Sequence, residues 1–224
     1  MIPAVRRTLL VALVAVVGCG GDSGDAPEPP LVATLGDSIT AGAPRWSPNL
    51  VFRQLIRGRP TRESQWQYWA ERATDGAFRF RNCGVEGDRT DEIELRLDEC
   101  ADGAEVLVVQ GGTNDLTQGH APAVAAANLR EVIRRAKDAG LRTLVATVPP
   151  INAGYPRWAP AVTRLNELIR AIARREGVPV IDFFELLEDP GRPGRMRARW
   201  TADGVHPTVA GYARLGRAAA RELG

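Results

Sequence analysis

Histidine and lysine are nearly missing from this 224-residue chain: it holds two histidines, and of its 29 basic residues only Lys137 is not an arginine. With just three cysteines beside them, a zinc site of several His or Cys ligands has almost nothing to be built from. An excess of one charge is missing too. The 29 basic residues meet 27 acidic ones, a formal net charge of +2, and the arginines are scattered along the chain. That balance excludes a strongly basic nucleic-acid binder and an acidic disordered tail. What remains, 44% hydrophobic and 25% charged residues, suits one ordinary globular domain, long enough to bury a full core without metal or disulfide staples. Collagen-like, coiled-coil and multi-span membrane classes fail on the same composition.

The N-terminus reads as an address. Arg6 and Arg7 precede an apolar run from Thr8 to Val17, too short to span a bilayer stably, and small residues follow. The run ends in Val16-Val17-Gly18-Cys19, which resembles a bacterial lipoprotein signal, in which the cysteine becomes the lipidated first residue. An ordinary signal peptide cleaved near Gly18, with Cys19 left as a free thiol, is the alternative. Removal of residues 1–18 takes away Arg6 and Arg7 and brings the basic count level with the 27 acidic residues. Residues 19–30 include Gly20-Gly21-Asp22-Ser23-Gly24-Asp25-Ala26-Pro27-Glu28-Pro29-Pro30, the composition of a flexible tether. The expectation is an exported protein of the cell envelope, anchored to a membrane through Cys19 rather than spanning it. Gly20 in place of an aspartate after the cysteine points to the outer membrane, in an organism that has one, or to a periplasm-facing site.

From Leu31 to the C-terminus a single domain, 31–224, alternates short apolar runs with helical patterns. Leu31–Leu35, Val106–Val109, Leu144–Val148 and Val178–Ile181 read as parallel strands covered on both faces, and Phe78–Arg81 as a weaker strand nearer an edge. Thr90 is placed to cap a helix with Ile93, Leu97 and Cys100 on its inner face. Further helices follow the spacings of Ala125, Leu129, Val132, Ile133 and Ala136, of Val162, Leu165, Ile169 and Ile172, and of Val209, Tyr212, Ala213, Gly216 and Ala220. Such alternation predicts a three-layer α/β/α sandwich around a mostly parallel five-stranded sheet, with ligands at the carboxyl ends of the strands.

Those strand ends carry the polar blocks. Gly36-Asp37-Ser38-Ile39-Thr40 follows the first strand and Asn82-Cys83-Gly84-Val85-Glu86-Gly87-Asp88 the second. Gly111-Gly112-Thr113-Asn114-Asp115 follows the third, and Asp203-Gly204-Val205-His206-Pro207 opens the last helix. Four blocks in this order resemble the SGNH (GDSL-type) hydrolases, esterases and lipases with a flavodoxin-like fold, over nearly the whole of 31–224. Ile39 stands where many members carry leucine, Cys83 and Glu86 are unusual, and the stretch from Ala43 to Arg62 does not align with the family.

The resemblance implies Ser38 as nucleophile, Asp203 and His206 as its partners, and an oxyanion hole made by the backbone N–H groups of Ser38 and Gly87 with the Asn114 amide. The residue chemistry agrees. A serine hydroxyl needs an adjacent base, and a histidine titrates near the working pH. Asp203, three residues before His206, is within reach to hold its tautomer. The Gly-x-Ser-x-Gly elbow of α/β-hydrolases is absent, because position 40 is threonine. Gly87 suits a backbone that must approach substrate closely.

Asp37, Thr113 and Asp115 read as turn and cap formers rather than catalysts, and His120 as a surface loop residue. Cys83 and Cys100 can pair across a loop of about 16 residues or remain two buried thiols. Trp46, Tyr155 and Trp158 lie in loops leaving the strand ends and are candidates for a substrate wall, whereas Trp66 and Trp69 read as core. Arg192–Arg199 reads as a solvated loop rather than a contact for anionic headgroups. The expectation is a serine esterase acting on a small-molecule, lipid or glycan ester, with no metal or cofactor required. Two alternatives use the same site: a carbohydrate or lipid O-acyltransferase or deacetylase, and a catalytically dead, lipid-anchored polysaccharide-binding protein. A nucleotide-binding flavodoxin-like protein lacks the glycine pattern in its first loop.

Overall fold

Strands form where apolar, β-branched runs can be buried, and four such runs do so here, while a fifth, half-buried strand of alternating polar residues lies at the sheet edge. The computed structural model describes residues 27–44, 61–201 and 203–224. Residues 1–18, Cys19, Trp46 and most of 19–30 lie outside the described residues. The strands are β1 (Leu31–Gly36), β2 (Arg79–Gly84), β3 (Val106–Val109), β4 (Arg142–Ala146) and β5 (Val180–Ile181). All neighbouring pairs are parallel, in the order β2-β1-β3-β4-β5. The register sets Val32 opposite both Phe80 and Val106, and Val108 opposite Leu144.

Because successive residues point to opposite faces, each strand feeds two cores. Ala33, Leu35, Leu107, Val109 and Val145 pack with α3 (Thr90–Leu95), α4 (Leu97–Ala101), α6 (Pro122–Asp138) and α7 (Ala159–Glu176). Val32, Val106, Val108, Leu144 and Ala146 pack with α2 (Trp66–Ala73), α8 (Phe183–Leu187) and α9 (Val209–Leu223). The three layers expected from the alternation are the layers that form, and Trp66 is fully buried in the second of these cores. There Gly216 of α9 lies so close to α2 that a Cβ on it would stand 2.2 Å from the Trp66 carbonyl oxygen.

Three details depart from expectation. The fourth strand starts at Arg142 and stops at Ala146, because the side chain of Asn166 takes over the hydrogen bonds of Val148: Oδ1 accepts from its N–H and Nδ2 donates to its C=O, both at 2.8 Å. The fifth strand shrinks to two residues behind Pro179, which has no N–H to give to the ladder. The helix expected from Thr90 to Cys100 is interrupted at Arg96, and its N-cap is Arg89. Thr90 is its first helical residue and instead gives its hydroxyl and N–H to the Asp115 carboxylate, at 2.6 and 3.0 Å. Ile93, Leu97 and Cys100 do face the core.

Cys83 of β2 and Cys100 of α4 are joined by a disulfide. The arginine-rich stretch is a hairpin rather than a bare loop: β6 (Glu188–Asp189) pairs with β7 (Arg192–Met196), and Met196 is buried.

Candidate active site

Ser38 is presented by an abrupt change of backbone at the end of β1. Asp37, fully buried, caps the short helix α1 (Ser38–Ala41) by accepting the Ile39 N–H at 2.9 Å. Ser38 is therefore a first-turn residue, whose N–H has no acceptor within its own helix. Gly84 makes room for this turn, since a Cβ there would sit 2.1 Å from the Ala41 nitrogen. The other Asp37 oxygen accepts from Gln110 Nε2 at 3.2 Å, and Gln110 Oε1 accepts the Thr40 hydroxyl at 2.9 Å. Burial pushes the Asp37 pKa up from 3.8 to about 6, against the hydrogen bonds from Ile39 and Gln110 and the nearby His206. On the far side of α1, the Tyr212 hydroxyl of α9 donates to the Ala43 carbonyl at 2.8 Å. Burial raises the Tyr212 pKa well above its usual value, so that it stays a protonated donor.

The turn before α9 brings the second half. His206 Nε2 lies 2.8 Å from Ser38 Oγ, and His206 Nδ1 lies 2.7 Å from Asp203 Oδ2. The other carboxylate oxygen of Asp203 accepts the backbone N–H groups of Val205 and His206, at 2.9 and 2.8 Å. Partial burial pulls the Asp203 carboxyl upward, but the hydrogen bonds from the His206 ring and these N–H groups outweigh it and hold it below the usual carboxylate range. It is thus ionised at neutral pH. Thr201 steadies the turn, accepting the Gly204 N–H at 2.7 Å and donating to the His206 carbonyl at 3.3 Å. A hydroxyl, an imidazole and a carboxylate in line can pass a proton from the first to the second while the third stabilises the imidazolium.

Facing Ser38 are Gly87 and Asn114. Gly87 has φ +90°, the left-handed region that side chains disfavour, so its glycine serves the backbone turn as well as close approach. Asn114, in α5 (Thr113–Thr117), gives one amide hydrogen to the Asp88 carbonyl at 2.8 Å, and its second remains for a ligand. Ser38, Gly87, Asn114 and His206 line one cleft of about 410 Å³ with Ala43, Pro44, Glu86, Thr113, Thr117 and Val205. That volume is in the range of small-molecule sites.

Tyr155 and Trp158 are not brought to this cleft. The Tyr155 hydroxyl donates to the Pro193 carbonyl at 3.2 Å, and Trp158 packs against the core and under the Arg157 guanidinium. Their loop buttresses the Asp203 turn instead, through the Asn152 and Ala153 N–H groups donated to the Gly204 carbonyl. His120 is exposed, with its N–H donated to the Asp115 carbonyl. Asp115 is less a cap for its own helix than a tie to the start of α3. Gln110 and Arg96 belong to none of the four polar blocks; Gln110 directly ends the third apolar run, which is the one local signal that marks it. Among the described residues no three His, Cys, Asp or Glu side chains cluster in a way that would hold a metal ion.

Comparison with known proteins bears on the family and the fold. The family model described as the GDSL-like lipase/acylhydrolase family matches residues 34–214. Esterase TesA of Pseudomonas aeruginosa is 29% identical over 150 residues, 65% of this chain and 70% of that protein. A member of the lipolytic G-D-S-L family from Veillonella parvula superposes with a TM-score of 0.69 at 21% identity, over 85% of this chain and 96% of its own. An acetyl xylan esterase from Geobacillus stearothermophilus gives 0.67 at 19% identity, over 87% and 94%. These two solved structures share the fold. The chain belongs to the GDSL-like lipase/acylhydrolase family, and it is a hydrolase of ester bonds.

Proposed function

We propose that this hydrolase cleaves a carboxylic ester through an acyl-enzyme on Ser38. The observation that carries the reading is the unbroken relay from Ser38 Oγ to His206 Nε2 at 2.8 Å and from His206 Nδ1 to Asp203 at 2.7 Å, opening into the cleft. Ser38 Oγ attacks the ester carbonyl carbon as His206 Nε2 takes its proton. The tetrahedral oxyanion is held by the N–H groups of Ser38 and Gly87 and by the free Asn114 amide hydrogen. Its collapse expels the alcohol, protonated by His206. Water, deprotonated by the same nitrogen, then attacks the acyl group, and the acid leaves with Ser38 restored. Asp203 stays ionised and orients the ring throughout. The test is hydrolysis of p-nitrophenyl esters of graded chain length by the purified domain beside Ser38→Ala, with fluorophosphonate labelling of Ser38. Turnover and labelling that both survive the substitution overturn the assignment.

The same reading places the enzyme outside the cytoplasm, tethered through Cys19. It is supported by the Arg6-Arg7 and apolar leader, and by the Cys83–Cys100 disulfide, a bond that persists in oxidising compartments. Palmitate incorporation that disappears in Cys19→Ser checks the anchor; equal incorporation in both proteins refutes it.

A further inference from the structure

We infer that Arg96 is a positioning residue for the oxyanion-binding groups, holding the three segments that carry them in one hydrogen-bonded clamp. The inference rests on the roles proposed above for Ser38, Gly87 and Asn114. Arg96 is the residue at which the helical run between α3 and α4 is interrupted, with φ −95° and ψ 4°. Its partly buried guanidinium reaches three different pieces of backbone. Nη2 donates to the Gly36 carbonyl at 3.0 Å, two residues before Ser38. Nη1 donates to the Cys83 carbonyl at 2.5 Å, at the mouth of the loop that carries Gly87. Nε donates to Asp88 Oδ2 at 2.9 Å, and the same carboxylate oxygen lies 2.7 Å from Nη2.

Asp88 completes the connection. It directly follows Gly87, and its carbonyl accepts the Asn114 amide at 2.8 Å. One planar fork thereby fixes the approach to the first proposed donor, grips the residue beside the second, and sets the acceptor that aims the third. Gly36 and Val85 are also joined directly, at 3.0 Å, so the clamp spans segments already in contact. A simple scaffold role would need only the ion pair with Asp88. The two additional carbonyls, each on a segment leading to an oxyanion donor, are what a positioning role requires. Lysine keeps the charge but not the fork, since a single ammonium cannot meet three acceptors in one plane.

The decisive comparison is wild type against Arg96→Lys, with folded enzyme counted by circular dichroism and active-site titration. Misplaced donors lower turnover without loosening ground-state binding, so kcat should fall about 10- to 100-fold while KM stays within about twofold. Affinity for a trifluoromethyl ketone, which becomes an oxyanion on Ser38, should fall with kcat/KM, while that for the matching methyl ketone does not change. In a double-mutant cycle, Arg96→Lys and Asn114→Ala should together cost less than the product of their separate losses, because both act on one hole. Asp88→Asn, which leaves the Asp88 carbonyl in place, should show the same pattern more weakly and serves if Arg96→Lys does not fold. A lowered melting temperature with unchanged kcat per folded enzyme overturns the inference, as do losses that multiply in the cycle. Wild-type enzyme with no Ser38-dependent turnover or labelling overturns the proposed function first, and the inference with it.

Discussion

Replacing Asp37 with asparagine should make the protein more stable at pH 8 and leave it unchanged at pH 4. Asp37 is fully buried, and its carboxyl is raised from 3.8 to about 6 by that burial. Because the folded-state value lies above the unfolded one, the folded protein binds the proton more tightly. The associated stability is complete below pH 3.8, is lost as pH rises through about 6, and is absent above it. A displacement of that size corresponds to about 3 kcal/mol. Asparagine keeps the oxygen that accepts the Ile39 N–H, and a flipped Gln110 amide can accept from its new Nδ2 and donate to the Thr40 hydroxyl oxygen, so the contacts persist with the Thr40–Gln110 bond reversed. The assay is urea unfolding of both proteins from pH 4 to pH 8. The difference between mutant and wild type should grow by about 2 to 3 kcal/mol across that range, cancelling every other titrating group common to the two. A difference independent of pH would refute the assignment of a destabilising buried charge beneath Ser38.

Other consequences follow from packing and from the crosslink. The disulfide joins cysteines 17 positions apart, and removing it by Cys83→Ala with Cys100→Ala should lower unfolding stability by about 3 kcal/mol in the chain-entropy model; denaturant titration showing no loss would contradict that. Gly216→Ala sets two effects against each other. Helix propensity favours alanine by about 1 kcal/mol, but overpacking costs about 1 to 3 kcal/mol where the new Cβ meets a backbone carbonyl. With 2.2 Å to the Trp66 oxygen, overpacking should win, and a higher melting temperature would show that α2 and α9 can slide apart cheaply.

Much of this architecture is legible in the sequence because its signals are local. Val106–Val109 is a bounded apolar run and needs no partner to be recognised as a strand. Ser38, Gly87, Asn114 and His206 each stand in a polar block just past such a run or at the head of a helix. What stays hidden depends on side chains that cross between elements. Nothing near Val148 in sequence says that Asn166 will replace its ladder partners, and nothing near Arg96 says that its side chain will reach back to Gly36. The aromatic loop is misleading for a related reason: Tyr155 and Trp158 leave the correct strand end, but the hairpin β6–β7 takes up Tyr155, and the core and Arg157 take up Trp158.

The relay in the cleft joins the first strand's end to the stretch before the last helix, across 168 residues of chain. Closing so long a loop is slow to reward, because its entropy must be met before the contact exists. The proposed nucleophile and base should therefore meet only once α9 is docked on α2, the arrangement in which the Tyr212 hydroxyl reaches the Ala43 carbonyl. Esterase activity in a refolding experiment should accordingly return with the final phase, after the helical signal has recovered. On the proposed mechanism, a nascent or partly threaded chain with its C-terminal segment still withheld lacks its base and should do no chemistry on the esters it passes.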